Sequence, residues 1–330
     1  MKLSTLTIFL SVAVLLTSCT TDKPDKDDKQ TTDKTDLPAT IDMTGVDLSC
    51  LDDLHKRTTF NIFDQTLAEY INSNPNRPDN VRKVIYLLPL GDMSQELVSL
   101  IRGEQDYLRI FFQMDVQIMK RVPFDDLKRI DSVKTRRDPN YHSYGKFEGK
   151  GNDENIREQI DASSLIKHFI NPNMPKDAIV VLGITDHDIY SPKYNWLYGS
   201  SNTKGGTGVI STHRLKEHPY YTKLNIRKAI SKQVTNAFSI RNVKDFHCLL
   251  TFHNNMEELV RGVIYLSPRA LEKLKVVIGF DHKKRFEELR DYWEKTEWKE
   301  MAGYYDKCLT ALNDCQQADN DTTQVIDNKK

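Results

Sequence analysis

The chain has 330 residues, its 47 lysines and arginines balance 47 aspartates and glutamates, and 38% of it is hydrophobic. That balance offers no electrostatic argument for nucleic acid or for an acidic substrate. The length suits one core domain of about 230 to 270 residues.

Residues 1–19 read as a signal peptide: Lys2 is its charged head, and Leu3 to Leu16 form an apolar run too short to cross a membrane comfortably. The run closes on Leu16-Thr17-Ser18-Cys19, which resembles a bacterial lipobox. That resemblance implies a lipoprotein in which Cys19, carrying acyl chains such as palmitate, is the first mature residue. Several chains on one residue hold a protein firmly, because each buried methylene adds roughly 0.8 kcal/mol. The expected location is the cell envelope, lipid-anchored at the outer membrane or cell surface. Residues 20–43 hold no aromatic residue and many charges, so they read as a disordered tether. Asp25-Lys26-Asp27-Asp28 within it reads as solvated spacer, with surface export as an alternative use.

One domain is expected over 44–315, followed by a disordered tail at 316–330. Leu48 to Ile71 reads as helical. Val84 to Leu90 is a short apolar run with the character of a buried strand. A helix follows from Ser94 to about Ile110, with Leu97, Leu100, Ile101 and Leu108 inward, and then a strand from Val116 to Met119. Lys128 to Asn155 is charged and aperiodic, as a loop would be. A helix is expected from about Ala162 through Phe169, and Ala178 to Ile184 is a continuous apolar strand.

That strand runs into Asp186-His187-Asp188, which cannot all face one ion because successive side chains on a strand point to opposite sides. A structural turn is the reading there. Gly205 to Gly208 precede a strand-like Val209 to Leu215 rather than a helix, so they suit a hairpin better than a phosphate cradle. In the next segment Ile226, Ala229, Ile230, Val234, Ala237 and Phe238 recur at helical spacing, with Asn225 as a plausible N-cap. Asp281 to Leu312 is again helical, with Phe286, Leu289, Trp293, Trp298, Met301, Tyr305, Cys308 and Leu312 apolar.

The segment from Lys232 to Leu250 resembles, without a gap, the archaemetzincin pattern H-E-x-x-H-x-x-G-x-x-H-C-x4-C-x-M. Archaemetzincins are zinc metallopeptidase-like proteins. In that register Lys232, Asn236 and Asn242 occupy the histidine-ligand positions and Gln233 that of the general-base glutamate. Ser239 takes the turn glycine, Val243 and Cys248 the first structural cysteines, and Leu250 the methionine under the metal. Ser267 to Leu274 is similar to the family's C-P-x-C-L-x-K-L, with Ser267 and Ala270 replacing its cysteines. Thr185 to Tyr190 and Asn195 to Gly199 resemble the family's T-D-x-D-L-Y and N-F-V-F-G segments beside the substrate cleft. The resemblance implies an α+β, zincin/metzincin-like domain with a mixed twisted sheet, a central motif helix and a C-terminal helical region.

It also implies a degenerate member. Zinc prefers imidazole, thiolate or carboxylate ligands, and a catalytic site needs a base for its water. An ammonium, two amides and a glutamine supply none of these. No two histidines in the chain stand at i and i+4, so no shift of register restores the helix motif. The expectation is a catalytically inactive pseudopeptidase without a cofactor. It would be tethered to the membrane through Cys19 and bind an unidentified peptide, protein or glycan in the former substrate cleft, with no nucleic acid partner.

Two arrangements compete around Lys232: its ammonium hydrogen-bonded to the Asn236 and Asn242 amides, or its side chain extended to solvent. The alternative function is a zinc metallopeptidase with relocated ligands, of which His247, Cys248 and His253 are the candidates. Besides Cys19, Cys50, Cys248, Cys308 and Cys315 leave three disulfide pairings open, and free thiols as well.

Overall fold

The computed structural model describes residues 47–56, 65–137, 158–244 and 246–327. The leader, Cys19 and the tether lie outside them. In chain order the described strands are β1 (Val84–Leu90), β2 (Asp115–Ile118), β3 (Thr135–Arg137), β4 (Glu158–Asp161), β5 (Ala178–Thr185), β6 (Asp188–Ser191), β7 (Tyr194–Leu197), β8 (Gly199–Asn202) and β9 (Thr207–Ser211). The α-helices are α1 (Leu67–Asn72), α2 (Gln95–Phe112), α3 (Phe124–Lys128), α4 (Ala162–Leu165), α5 (Thr222–Ala237), α6 (Met256–Arg261), α7 (Pro268–Ile278), α8 (His282–Glu294) and α9 (Glu300–Asp327).

A five-stranded sheet has the order β2-β1-β5-β9-β8, and a four-stranded sheet the order β3-β4-β6-β7. Both are mixed: β8 runs antiparallel to β9, and β3 and β7 run antiparallel to β4 and β6. The fold is α+β. Strand β5 is buried at every position because both faces of the larger sheet are covered. Its alternate residues go to different cores. Val180, Leu182 and Ile184 pack with α2, α5 and α8, whereas Val181 packs with Leu165, Ile166 and Ile170 on the opposite side.

Helix α5 lies under β8 and β9 and against α2, so it is enclosed well beyond its apolar stripe. Arg227, Lys228, Ser231 and Thr235 are buried along with Ile226, Ile230 and Val234. Such a helix must satisfy polar groups internally. Arg227 does so by a bidentate pair with Glu104 of α2, Nε to Oε2 at 2.7 Å and Nη2 to Oε1 at 2.9 Å. Tyr107, Tyr292 and Trp293 surround the guanidinium with ring centroids 4.6 to 5.2 Å away.

Several sequence expectations are corrected. Leu48 to Ile71 is not one helix: a 3-10 turn at Ser49–Leu54 is separate from α1, which a Thr66/Glu69 capping box starts afresh. The segment after Lys128 contains β3, because its short polar strand is completed by pairing with β4. The helix after Ala162 opens as α4 and continues through a π-turn at Ile166–Ile170. Strand β9 ends at Ser211 and gives way to a 3-10 turn at Arg214–Lys216.

Asn225 is not a cap. A turn at Pro219–Tyr221, with proline presetting φ, starts α5 at Thr222 and leaves Asn225 buried inside the helix. The tail beyond 315 is helical to Asp327, since extending an existing helix adds one hydrogen bond per residue without a new nucleation cost. The four described cysteines are free. Burial, and then the neighbouring Cys315, push the Cys50 thiol up to about 12.

Replacing Glu104 alone by leucine leaves Arg227 charged and unpaired in the core, and urea unfolding should show a loss of about 3 to 5 kcal/mol. The double variant Glu104→Leu, Arg227→Met should recover most of that loss.

Candidate functional site

A cleft of about 470 Å³ opens between Tyr194–Ser201 on one side and α5 with the segment after it on the other. Lys232, Gln233, Asn236 and Asn242 all line it. The structure therefore brings together the four positions that the sequence pattern pairs with metal ligands and base. Leu250 is fully buried beneath, and its neighbour Leu249 reaches the cleft wall.

The chain arrives at Asn242 through a sharp turn after α5. Ser239 sits there at φ +67°, the left-handed conformation that favours the glycine of the pattern. For a residue with a Cβ this costs about 1 to 2 kcal/mol. Two hydrogen bonds offset it: the Asn76 amide donates to Ser239 Oγ at 2.9 Å, and Oγ donates to the Thr203 carbonyl at 2.6 Å. At about 1 kcal/mol each the balance is near zero. Tyr70 Oη and Asn76 Nδ2 add bonds to the Phe238 and Ala237 carbonyls at 2.6 and 3.0 Å.

Lys232 adopts neither expected arrangement. Its ammonium donates to the Thr251 carbonyl at 2.6 Å, so it is neither shared with the asparagine amides nor released to solvent. Asn236 Nδ2 instead faces Asn242 Oδ1 at 3.4 Å, and Asn236 Oδ1 is buried without a partner. Gln233 accepts from Ser201 Oγ at 2.6 Å and so joins α5 to β8. A Cβ at Gly199 would stand 3.0 Å from the Gln233 side chain, which is why that strand can approach the helix so closely.

Sequence reading missed Lys228. One turn before Lys232 on the same face, it is buried and donates to the Leu259 and Val260 carbonyls at 3.0 and 3.2 Å. The i, i+4 spacing of the two lysines and Asn236 was the available signal. Burial pulls both ammonium groups down to about 8. His253 is pulled to about 4, by burial first and then by Lys232 and Lys228. Tyr194, Trp196, Tyr198 and Phe252 complete the walls.

The alternative metal set is not assembled. His247 is exposed, Cys248 is buried and His253 lies in the cleft; among the described residues no three His, Cys, Asp or Glu side chains form a group able to hold a metal. Val243, Cys248, Ser267 and Ala270 are all buried. Around Asp186-His187-Asp188 the structure shows the expected turn. Asp188 pairs with Arg214 at 2.7 Å, Asp186 pairs with Lys216 at 2.6 Å, and His187 stacks on Phe124 at 3.8 Å.

No protein-family model matches the chain. Among characterised proteins it is similar to Archaemetzincin-2 of Homo sapiens, 24% identical over 263 residues and covering 67% of each chain. Among solved structures it resembles the archaemetzincin of Methanopyrus kandleri, with 20% identity and a TM-score of 0.46 over 62% of this chain and 99% of that one. A zinc-dependent peptidase from Methanocorpusculum labreanum gives 16% identity and a TM-score of 0.38 over 58% and 99%. The chain is thus archaemetzincin-like in sequence at low identity.

The residues present do not fit zinc. An ammonium repels a cation, carboxamide oxygens are weak zinc ligands, and glutamine cannot take a proton from water.

A histidine held below its usual value refuses a proton that the unfolded chain accepts, so its contribution to stability is lost as pH falls from 6.5 towards about 4. An NMR titration should find the His253 ring neutral down to about pH 4, and Lys232→Met, which removes a positive neighbour, should raise its midpoint.

Proposed function

We propose that this chain is a lipid-anchored, catalytically inactive archaemetzincin-like protein that binds an extended ligand in the cleft. The carrying observation is the donor chemistry of the cleft floor. Lys232, Gln233, Asn236 and Asn242 share one groove with the geometry of a peptidase motif, yet none offers a zinc ligand or a base. Their present contacts are those of a fitted wall, with Gln233 bonded to Ser201 and Lys232 to Thr251.

The groove suits a polypeptide. Strands β7 and β8 both contribute to its wall, and each is the last strand of its sheet among the described residues; the Asn195 carbonyl of β7 already accepts from Arg136 and Gln159, so β8 is the edge proposed to pair with an added strand. Aromatic side chains at Tyr194 and Phe252, each 54% exposed, offer apolar contact at the rim. Anchoring is the role proposed for Cys19, with the tether setting the reach of the domain.

Purified full-length protein, dialysed and analysed by plasma mass spectrometry, should hold far less than one zinc per chain and leave a random peptide library uncut. Stoichiometric zinc with chelator-sensitive hydrolysis would overturn the reading. In bacterial cells, labelled palmitate should enter the protein, and Cys19→Ser should abolish both the label and membrane fractionation; retention of either would remove the anchor from the proposal.

A further inference from the structure

The cleft is charged in one sense. Among the described residues its lining includes the ammonium groups of Lys228 and Lys232, a neutral His253, and no aspartate or glutamate. The two ammonium groups are not equivalent. Lys228 is held between two carbonyls, while Lys232 has one bond, to Thr251, for its three N–H donors. Among the described residues neither is paired with a carboxylate. A part-buried cation without a counter-charge favours a ligand that brings one.

The character of that ligand follows from the neighbours. A phosphate would call for several converging cations or an arginine fork, whereas Lys228 is already held between two carbonyls and Lys232 alone keeps two donors free. A carboxylate matches it. Asn236, one turn further along α5, lines the same cleft, and among the described residues its Oδ1 is a buried acceptor with no partner, which rotation of that amide would present to an incoming N–H. A peptide offers both groups within a single residue, a carboxylate and an amide.

We propose that the cleft recognises a carboxylate of a bound peptide through the Lys232 ammonium, with Asn236 Oδ1 accepting a peptide N–H beside it. This rests on reading the cleft as a peptide-binding groove. The positive charge that a zinc ion would bring to this place is thereby supplied by a side chain, and it serves attraction rather than water activation.

The test uses full-length protein and short random-sequence peptides carrying an N-terminal fluorophore, in three forms: free C-terminal acid, C-terminal amide, and amide with one internal aspartate. Fluorescence anisotropy should show the free acid binding roughly 10- to 100-fold more tightly than the plain amide, the span of a charge-assisted hydrogen bond. Lys232→Met should erase that difference and Lys232→Arg should keep most of it. Binding of the internal-aspartate amide at the strength of the acid supports the proposal and places the carboxylate on a side chain. Equal binding of acid and plain amide to the unaltered protein overturns it while leaving the groove reading in place, and so does an undiminished preference in Lys232→Met. Absence of binding by every peptide overturns both.

Discussion

The pair between Arg227 and Glu104 is the constraint on which the site depends. Helix α5 is enclosed by the larger sheet, α2 and the C-terminal helices, and a helix so enclosed cannot leave its polar side chains to water. A guanidinium 2% exposed against a carboxylate that is fully buried fixes α5 in rotation and height relative to α2. Alternatives of similar size would pack as well, as buried ion pairs often add little net stability. Geometry is the gain: with Arg227 fixed, Lys228, Lys232, Gln233 and Asn236 follow the same helical face into the cleft.

The turn behind the helix shows how such a scaffold keeps its path when its sequence departs from the pattern. Ser239 holds a backbone conformation suited to glycine and offsets the cost through bonds to Asn76 and Thr203. The positions matched to structural cysteines have been absorbed into the core. Val243 and Ala270 are apolar packing there, while Ser267 caps α7 through the Ala270 amide at 3.3 Å. In both places side-chain contacts stand where the family pattern has either backbone freedom or sulfur.

Much of this was legible in the residues. The apolar run of β5, the hairpin at Gly205 to Gly208 and the helical stripe of α5 each carry a local periodic signal, and the four cleft positions follow from one register. What escaped was set by distant partners. The Lys232 ammonium bonds a carbonyl 19 residues away, which no spacing rule reveals. Strand β3 exists because β4 lies beside it, and α9 continues because it has already begun. Overall neutrality of the chain concealed the lysines gathered in the cleft, since carboxylates such as Asp186 and Asp188 are paired with their own cations elsewhere.

Gln233 gives the proposed history a direction. Its bond to Ser201 joins β8 to α5, so the position that the pattern matches to the general base serves as a strut in the groove wall. A single return to histidine at 232, 236 or 242 would set one imidazole among neighbours fitted to other contacts, with no ion to reward it. Glutamate at 233 would place a negative charge beside the lysine that now holds the loop. Recovery of a metal would need all four positions to change together, and each step alone would loosen the groove. On the proposed reading the bracing acts as a ratchet: selection could refine what the groove grips but would have no gradual road back to hydrolysis.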